Sequence, residues 1–263
     1  MYPTLFHIFG FRVDTYSVIW FIALSLAILW SIRRLGIYQL DEYESRRIMA
    51  VSFFFMLLGA KALGYIADWD SYVKDPSLFL DINRGGVHEF GAVTGAFLSA
   101  FVMCMFSRNV SFSKLCDAAS PPAMLAITIG RWGCFLNGCC VGLPTDSFMA
   151  VHFPFDKPGV FRHPVQIYYS VIALVIVAVL LWTERRVIPL QRGQKKHYSV
   201  VAPLAVILYS LMRLAIVPMR DYYPLIHMMK YSLTYKGILI ALPLMSVWLA
   251  YSLIQLKSLS QHK

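Results

Sequence analysis

Three basic side chains stand inside apolar runs of this sequence: Lys61, Arg131 and Arg213. A charge at the centre of a bilayer-spanning helix costs roughly 2.5–3.5 kcal/mol on insertion scales, so such residues usually face a polar cavity and mark function. Lys61 lies near the end of its run, where its apolar stem can carry the ammonium out to the interface. Arg131 and Arg213 are each followed by more apolar sequence, and neither run offers a carboxylate one turn away. Two guanidinia so placed call for an anion, and a lipid phosphate suits their bidentate donor geometry. Snorkelling is the structural alternative.

The densest stretch is GRWGCFLNGCCVG, residues 130–142. At i, i+3 and i+7, Arg131, Cys134 and Gly138 share one helix face. Gly130, Gly133 and Gly138 let a backbone or a lipid come close. Asn137 adds an amide that is costly to bury without a partner. Cys134, Cys139 and Cys140 admit several readings. They are small buried hydrophobes, an oxidised pair at an outer membrane face, or a nucleophilic thiol activated by Arg131. The C-x4-C-C spacing lacks the C-x2-C pairs of common zinc sites and argues against zinc. Among the seven histidines, His163 (in RHPVQIYY) and His88 (in GGVHEFGAVTG) adjoin apolar runs, as headgroup contacts or as bases.

These residues must be positioned by membrane helices. The chain has 263 residues, of which 58% are hydrophobic and 14% charged, where a soluble domain carries about 25% charged residues. Runs near the roughly 20 residues needed to cross a bilayer recur at 16–32, 48–65, 91–106, 118–136, 165–182, 200–217 and 237–256. The expected fold is therefore an all-α integral membrane protein of about seven transmembrane helices. With the N-terminus outside, the inner segments hold 13 Lys and Arg against 8 in the outer ones, which favours N-terminus out and C-terminus in. The opening MYPTLFHIFGFRVD lacks a basic n-region and a small-residue cleavage site, so it does not read as a signal peptide. No linker or repeat divides residues 1–263, and a single polytopic domain is expected. The loops at 66–90, ending near the pair Gly85-Gly86, and 141–164 fall on the same outer face and imply a site opening there. The basic segment 184–197 reads as a solvated inner loop or a headgroup patch. The net charge of +10 fits positive-inside topology. Nucleic acid is not an expected partner, since no soluble segment carries a basic stripe with interleaved aromatics.

Together these pieces resemble the prolipoprotein diacylglyceryl transferase family. The matching segments are GGVHEFGAVTG (85–95), GRWGCFLNG (130–138), RHPVQIY (162–168) and YSLMRLAIVPMR (209–220). Weaker matches are Tyr16, LLGAKALGY (57–65), Asp117 and Pro121. The resemblance implies a seven-helix bundle in the bacterial cytoplasmic (inner) membrane. It also implies transfer of a diacylglyceryl group from phosphatidylglycerol to the lipobox cysteine of a preprolipoprotein, with release of glycerol phosphate. Carried over by motif, Arg131 and Arg213 hold the phosphate, and Asn137, Gly138 and Arg220 line the headgroup site. Gln166, Tyr168 and His163 shape the rim, and Tyr16 contacts lipid. His163, or else His88, assists deprotonation. No metal or organic cofactor is implied.

The sequence departs from the family pattern at five places. Phe90 stands at the histidine of the His-Gly-Gly block, Val217 and Cys139 at acidic positions, Cys134 at an asparagine and Tyr169 at a glutamate. Two further readings therefore stand beside the transferase: a phospholipid-binding or transporting relative without chemistry, and a thiol-redox membrane protein centred on the three cysteines.

Overall fold

The computed structural model describes residues 4–8, 11–79, 88–191, 197–221 and 226–261. The Gly85-Gly86 pair and residues 192–196 of the basic loop lie outside them. A short antiparallel hairpin, β1 (Thr4–Ile8) and β2 (Phe11–Asp14), opens the chain. Eight helices follow: α1 (Thr15–Arg34), α2 (Glu42–Ala67), α3 (Trp69–Lys74), α4 (Glu89–Phe106), α5 (Phe112–Asn137), α6 (Val165–Gln191), α7 (Val201–Ile216) and α8 (Ile226–Gln261). Among the described residues the protein is thus all-α apart from the hairpin and isolated bridges, and each expected apolar run falls on one long helix. Six of the described helices, α1, α2, α4, α6, α7 and α8, carry segments long and apolar enough to cross a membrane. α5 has the length, but Lys114, Asp117, Ser120, Thr128 and Arg131 dilute its apolar character. The chain divides into two compact units, residues 1–34, 116–221 and 242–263 in one and 35–115 and 222–241 in the other.

In the first unit, the core joins Met124 of α5, Val165, Tyr169, Ala173, Ile176, Val177 and Leu180 of α6, and Val201, Ala205, Met212 and Ile216 of α7. α1 packs on α5 through small residues. A Cβ on Gly130 would meet the Trp20 ring at 2.6 Å, and one on Gly133 would meet Ile19 at 3.3 Å and the Tyr16 carbonyl at 3.4 Å. Lipid offers no hydrophobic drive for helix association, so close packing of this kind does the work.

Polar groups fix the far end of the same unit. Pro121 and Pro122 lie inside α5. Proline has no N–H, so Pro122 frees the carbonyl four residues earlier. That carbonyl, of Ala118, accepts from Arg34 Nε at 2.9 Å. The same guanidinium pairs with Glu184 of α6, both groups being buried. Buried Asp117 closes the start of α7, accepting from Ala202 N at 2.7 Å, Ser199 Oγ at 2.6 Å and Val200 N at 3.3 Å. His197 Nε2 lies 2.9 Å from the same carboxylate. An acid thus satisfies backbone donors that a helix start leaves without partners.

In the second unit, α2 starts at Asp41, whose side chain accepts from Glu44 N at 2.8 Å, a capping bond that supplies one missing acceptor. α2 and α4 then touch backbone to backbone. A Cβ on Gly59 would lie 2.4 Å from the Gly91 carbonyl oxygen, and one on Gly95 2.2 Å from that of Phe55. Lys61 sits on α2 with its ammonium 5.7 Å from the Tyr65 ring centroid. Phe90 covers Gly237, where a Cβ would meet its ring at 2.5 Å.

Candidate functional site

α5, α6 and α7 each deliver one residue to a buried polar cluster in the first unit. Arg131 of α5 is 7% exposed, Arg213 of α7 5%, and Tyr169 of α6 1%. The Tyr169 ring lies against both cations, its centroid 4.3 Å from the Arg131 guanidinium carbon and 5.8 Å from that of Arg213. An aromatic face attracts each guanidinium by about 0.5–2 kcal/mol, more as water is excluded. Two guanidinia on one aromatic residue also offer the planar donor geometry that suits a phosphate. Among the described residues, the buried Tyr169 hydroxyl and Gln166 Oε1 have no hydrogen-bond partner. Ser170 Oγ donates to the Thr128 carbonyl at 2.8 Å and pins α6 to α5 beside this cluster.

The end of α5 explains how the cysteines gather. Gly138 adopts φ 71°, donates to the Phe135 carbonyl at 3.1 Å, and is followed by Cys139 donating to the Cys134 carbonyl at 3.0 Å. That pair of bonds is a Schellman motif, for which a left-handed glycine is the ordinary residue. The turn folds Cys139 back over Cys134, whose carbonyl also lies 3.6 Å from the Cys139 thiol. Cys140 is left-handed too, at φ 61°, a conformation that costs a side-chain-bearing residue about 1–2 kcal/mol. The three Sγ atoms lie within 4.8 Å of one another. Tyr16 of α1 is within electrostatic reach of all three thiols and of Arg131.

Beyond α5 the chain is woven into a sheet-like rim. Gly142 N donates to His163 O at 3.1 Å, Leu143 N to Met219 O at 2.8 Å, His163 N to Leu143 O at 3.1 Å, and Asp221 N to Val141 O at 3.1 Å. A Cβ on Gly142 would collide with His163 O at 2.6 Å and Met219 O at 2.8 Å, so only glycine fits this crossing. Arg162 locks the rim. Its Nε meets both Asp156 oxygens at 2.8 Å, and its Nη1 meets Asp221 at 2.6 Å and the Gly142 carbonyl at 3.2 Å. Burial opposes its charge, yet the two carboxylates outweigh burial and hold its pKa above the ordinary arginine value.

The first unit brings most of the expected site residues into this region. Gln166, 1% exposed, donates to the Cys139 carbonyl at 2.7 Å, and Asn137 lies within polar reach of the Cys139 thiol. His163 Nδ1 lies 3.3 Å from the Tyr168 hydroxyl. Arg220 pairs with Gly142 in an isolated bridge and lies within electrostatic reach of Cys140. His88 belongs to the second unit, buried at the start of α4 with its N–H on the Ala60 carbonyl at 3.0 Å. Sequence reasoning missed Tyr169 as a member of the cluster, because only the shared core of α5, α6 and α7 brings its ring to both arginines.

The family model described as prolipoprotein diacylglyceryl transferase matches residues 3–254. The chain belongs to the prolipoprotein diacylglyceryl transferase family. It is 31% identical over 189 residues to a protein of Clostridium tetani named phosphatidylglycerol–prolipoprotein diacylglyceryl transferase, covering 71% of this chain and 75% of the relative. Similarity to the proteins so named in Clostridium novyi, 31% over 71% of this chain and 74% of the relative, and Fervidobacterium nodosum, 29% over 82% and 74%, is comparable. Within the family pattern, the unusual residues have structural roles here. Tyr169 supplies a π face where the pattern has an acid. Cys134 and Cys139 build the thiol cluster. Phe90 packs on Gly237 rather than offering a proton acceptor.

Proposed function

We propose that this protein is an integral membrane transferase that moves a diacylglyceryl group from phosphatidylglycerol to a thiol at the outer face of the bacterial cytoplasmic membrane. The acceptor is the lipobox cysteine of a preprolipoprotein. The observation that carries the reading is the pair of buried guanidinia, Arg131 and Arg213, both set against the Tyr169 ring. Family membership supports the same reaction. The chain acts as one membrane domain with seven spans, α5 being the seventh, N-terminus out and C-terminus in.

The acceptor thiol gives its proton to His163, whose ring is held beside Tyr168. The thiolate attacks the glyceryl carbon that bears the phosphate ester. A C–S bond forms as that C–O bond breaks, and the electron pair leaves on the oxygen of glycerol phosphate. Arg131 and Arg213 stabilise the charge that grows there, an effect worth about 10²–10³-fold for each donor removed. Asn137, Gly138, Gln166 and Arg220 line the headgroup site, and Tyr16 meets the lipid. Phe90 leaves the base role to His163, with His88 the other candidate.

The test is transfer of label from acyl-labelled phosphatidylglycerol to a lipobox peptide by the detergent-purified protein. Label on the peptide cysteine that falls about 100-fold or more in Arg131→Ala and in Arg213→Ala supports the reading. Lipid that co-purifies in an Arg131-dependent way, with no label on the peptide, would establish a phospholipid-binding relative instead.

A further inference from the structure

We propose that Cys134, Cys139 and Cys140 form a three-thiolate site for a thiophilic d10 metal ion, zinc or copper(I). Their sulfurs lie within 4.8 Å of one another. A metal–sulfur bond of about 2.3 Å puts neighbouring sulfurs roughly 3.8 Å apart around a tetrahedral ion, so small side-chain rotations close the cluster on a metal. The C-x4-C-C spacing argued against zinc because it lacks the C-x2-C pairs of common zinc sites. The Schellman turn at Gly138 removes that objection by stacking residue 139 on residue 134.

Three mutually adjacent thiols are one more than a disulfide consumes, and all three are free. The donors are all sulfur, which selects soft cations over magnesium, calcium or manganese. The charge fits as well. Three thiolates around one such ion leave a net negative site, and Arg131 and Arg220 lie within electrostatic reach of Cys140. The loop is braced as ligand loops are, with Gln166 on the Cys139 carbonyl at 2.7 Å. Partners of this outer kind orient ligands and raise metal affinity. Binding exchanges three thiol protons for one ion. Copper(I) is satisfied by the three sulfurs, whereas zinc takes a fourth donor from outside the cluster.

The test uses the full-length protein, purified reduced in detergent, and asks for metal alone, so it is independent of transferase activity. Zinc and copper(I) are titrated separately, and bound metal is counted after desalting. Mass spectrometry follows which cysteines N-ethylmaleimide modifies. The expected result is one equivalent of one ion per chain, with Cys134, Cys139 and Cys140 protected while Cys104 and Cys116 react as before. Comparison of the two titrations names the ion. Cys139→Ser should weaken binding about tenfold or more, and Cys104→Ser should leave it unchanged. The protection measurement needs no variant, so a folding defect in Cys139→Ser cannot mask the answer. Neither ion held at micromolar concentration, alkylation of the three cysteines unaffected by metal, or full binding in Cys139→Ser overturns the proposal.

Discussion

Tyr169 holds the centre of the account at the scale of single residues. Its ring lies against both buried guanidinia, so its aromaticity matters more than its hydroxyl. Tyr169→Phe should keep label transfer within about threefold of wild type, while Tyr169→Leu, which loses both cation–π contacts, should lose about 10-fold or more. The same radiolabel assay reads both. Arg131→Lys should fail nearly as badly as Arg131→Ala, because an ammonium neither stacks on the ring nor grips a phosphate with two parallel bonds. The arginines were legible in the sequence, since a charge inside an apolar run is costly enough to demand a reason. The tyrosine was not. Its departure from the family pattern was visible, but nothing in the sequence set its ring beside both arginines.

The helix ends and crossings make the site at the next scale. Gly138 closes α5 with φ 71°, so Gly138→Ala meets a backbone that costs a Cβ about 1–2 kcal/mol. Thermal unfolding in detergent should move down, and the three cysteines should become more readily alkylated as the turn loosens. The α2–α4 crossing is equally strict. Gly59 and Gly91 leave no room for any side chain against the facing carbonyls, so Gly91→Leu should prevent accumulation of folded protein, read by size-exclusion of the detergent extract. Apolar run length made each long helix legible in advance. The hairpin of residues 4–14 was not, because two short strands of mixed polarity carry too little periodic signal. The three cysteines were singled out in the sequence, but that their sulfurs meet within 4.8 Å was not legible. Spacing along the chain says little about distance once a left-handed turn reverses its direction.

For the whole molecule, the account requires the unit of residues 1–34, 116–221 and 242–263 to stay anchored at both ends. At one end the rim ties residues 141–144 to 162–163 and 217–221. At the other, Arg34 joins α1 to Glu184 of α6 and to the Ala118 carbonyl that Pro122 releases. Removing one member of a buried ion pair strands the other, at about 3–5 kcal/mol, whereas replacing both with apolar residues is often tolerated. Glu184→Ala should therefore unfold at a markedly lower temperature than the double variant Arg34→Met with Glu184→Leu. The central claim is that this frame holds a phospholipid phosphate between two arginines while its diacylglyceryl group leaves for a thiol. The most direct measurement gives the purified protein phosphatidylglycerol labelled with one isotope in the acyl chains and another in the phosphate. A lipobox peptide serves as acceptor. The account predicts acyl label on the peptide cysteine and an equal amount of phosphate label released as water-soluble glycerol phosphate, both lost in Arg213→Ala. Both labels remaining together in the lipid at every time point would contradict it.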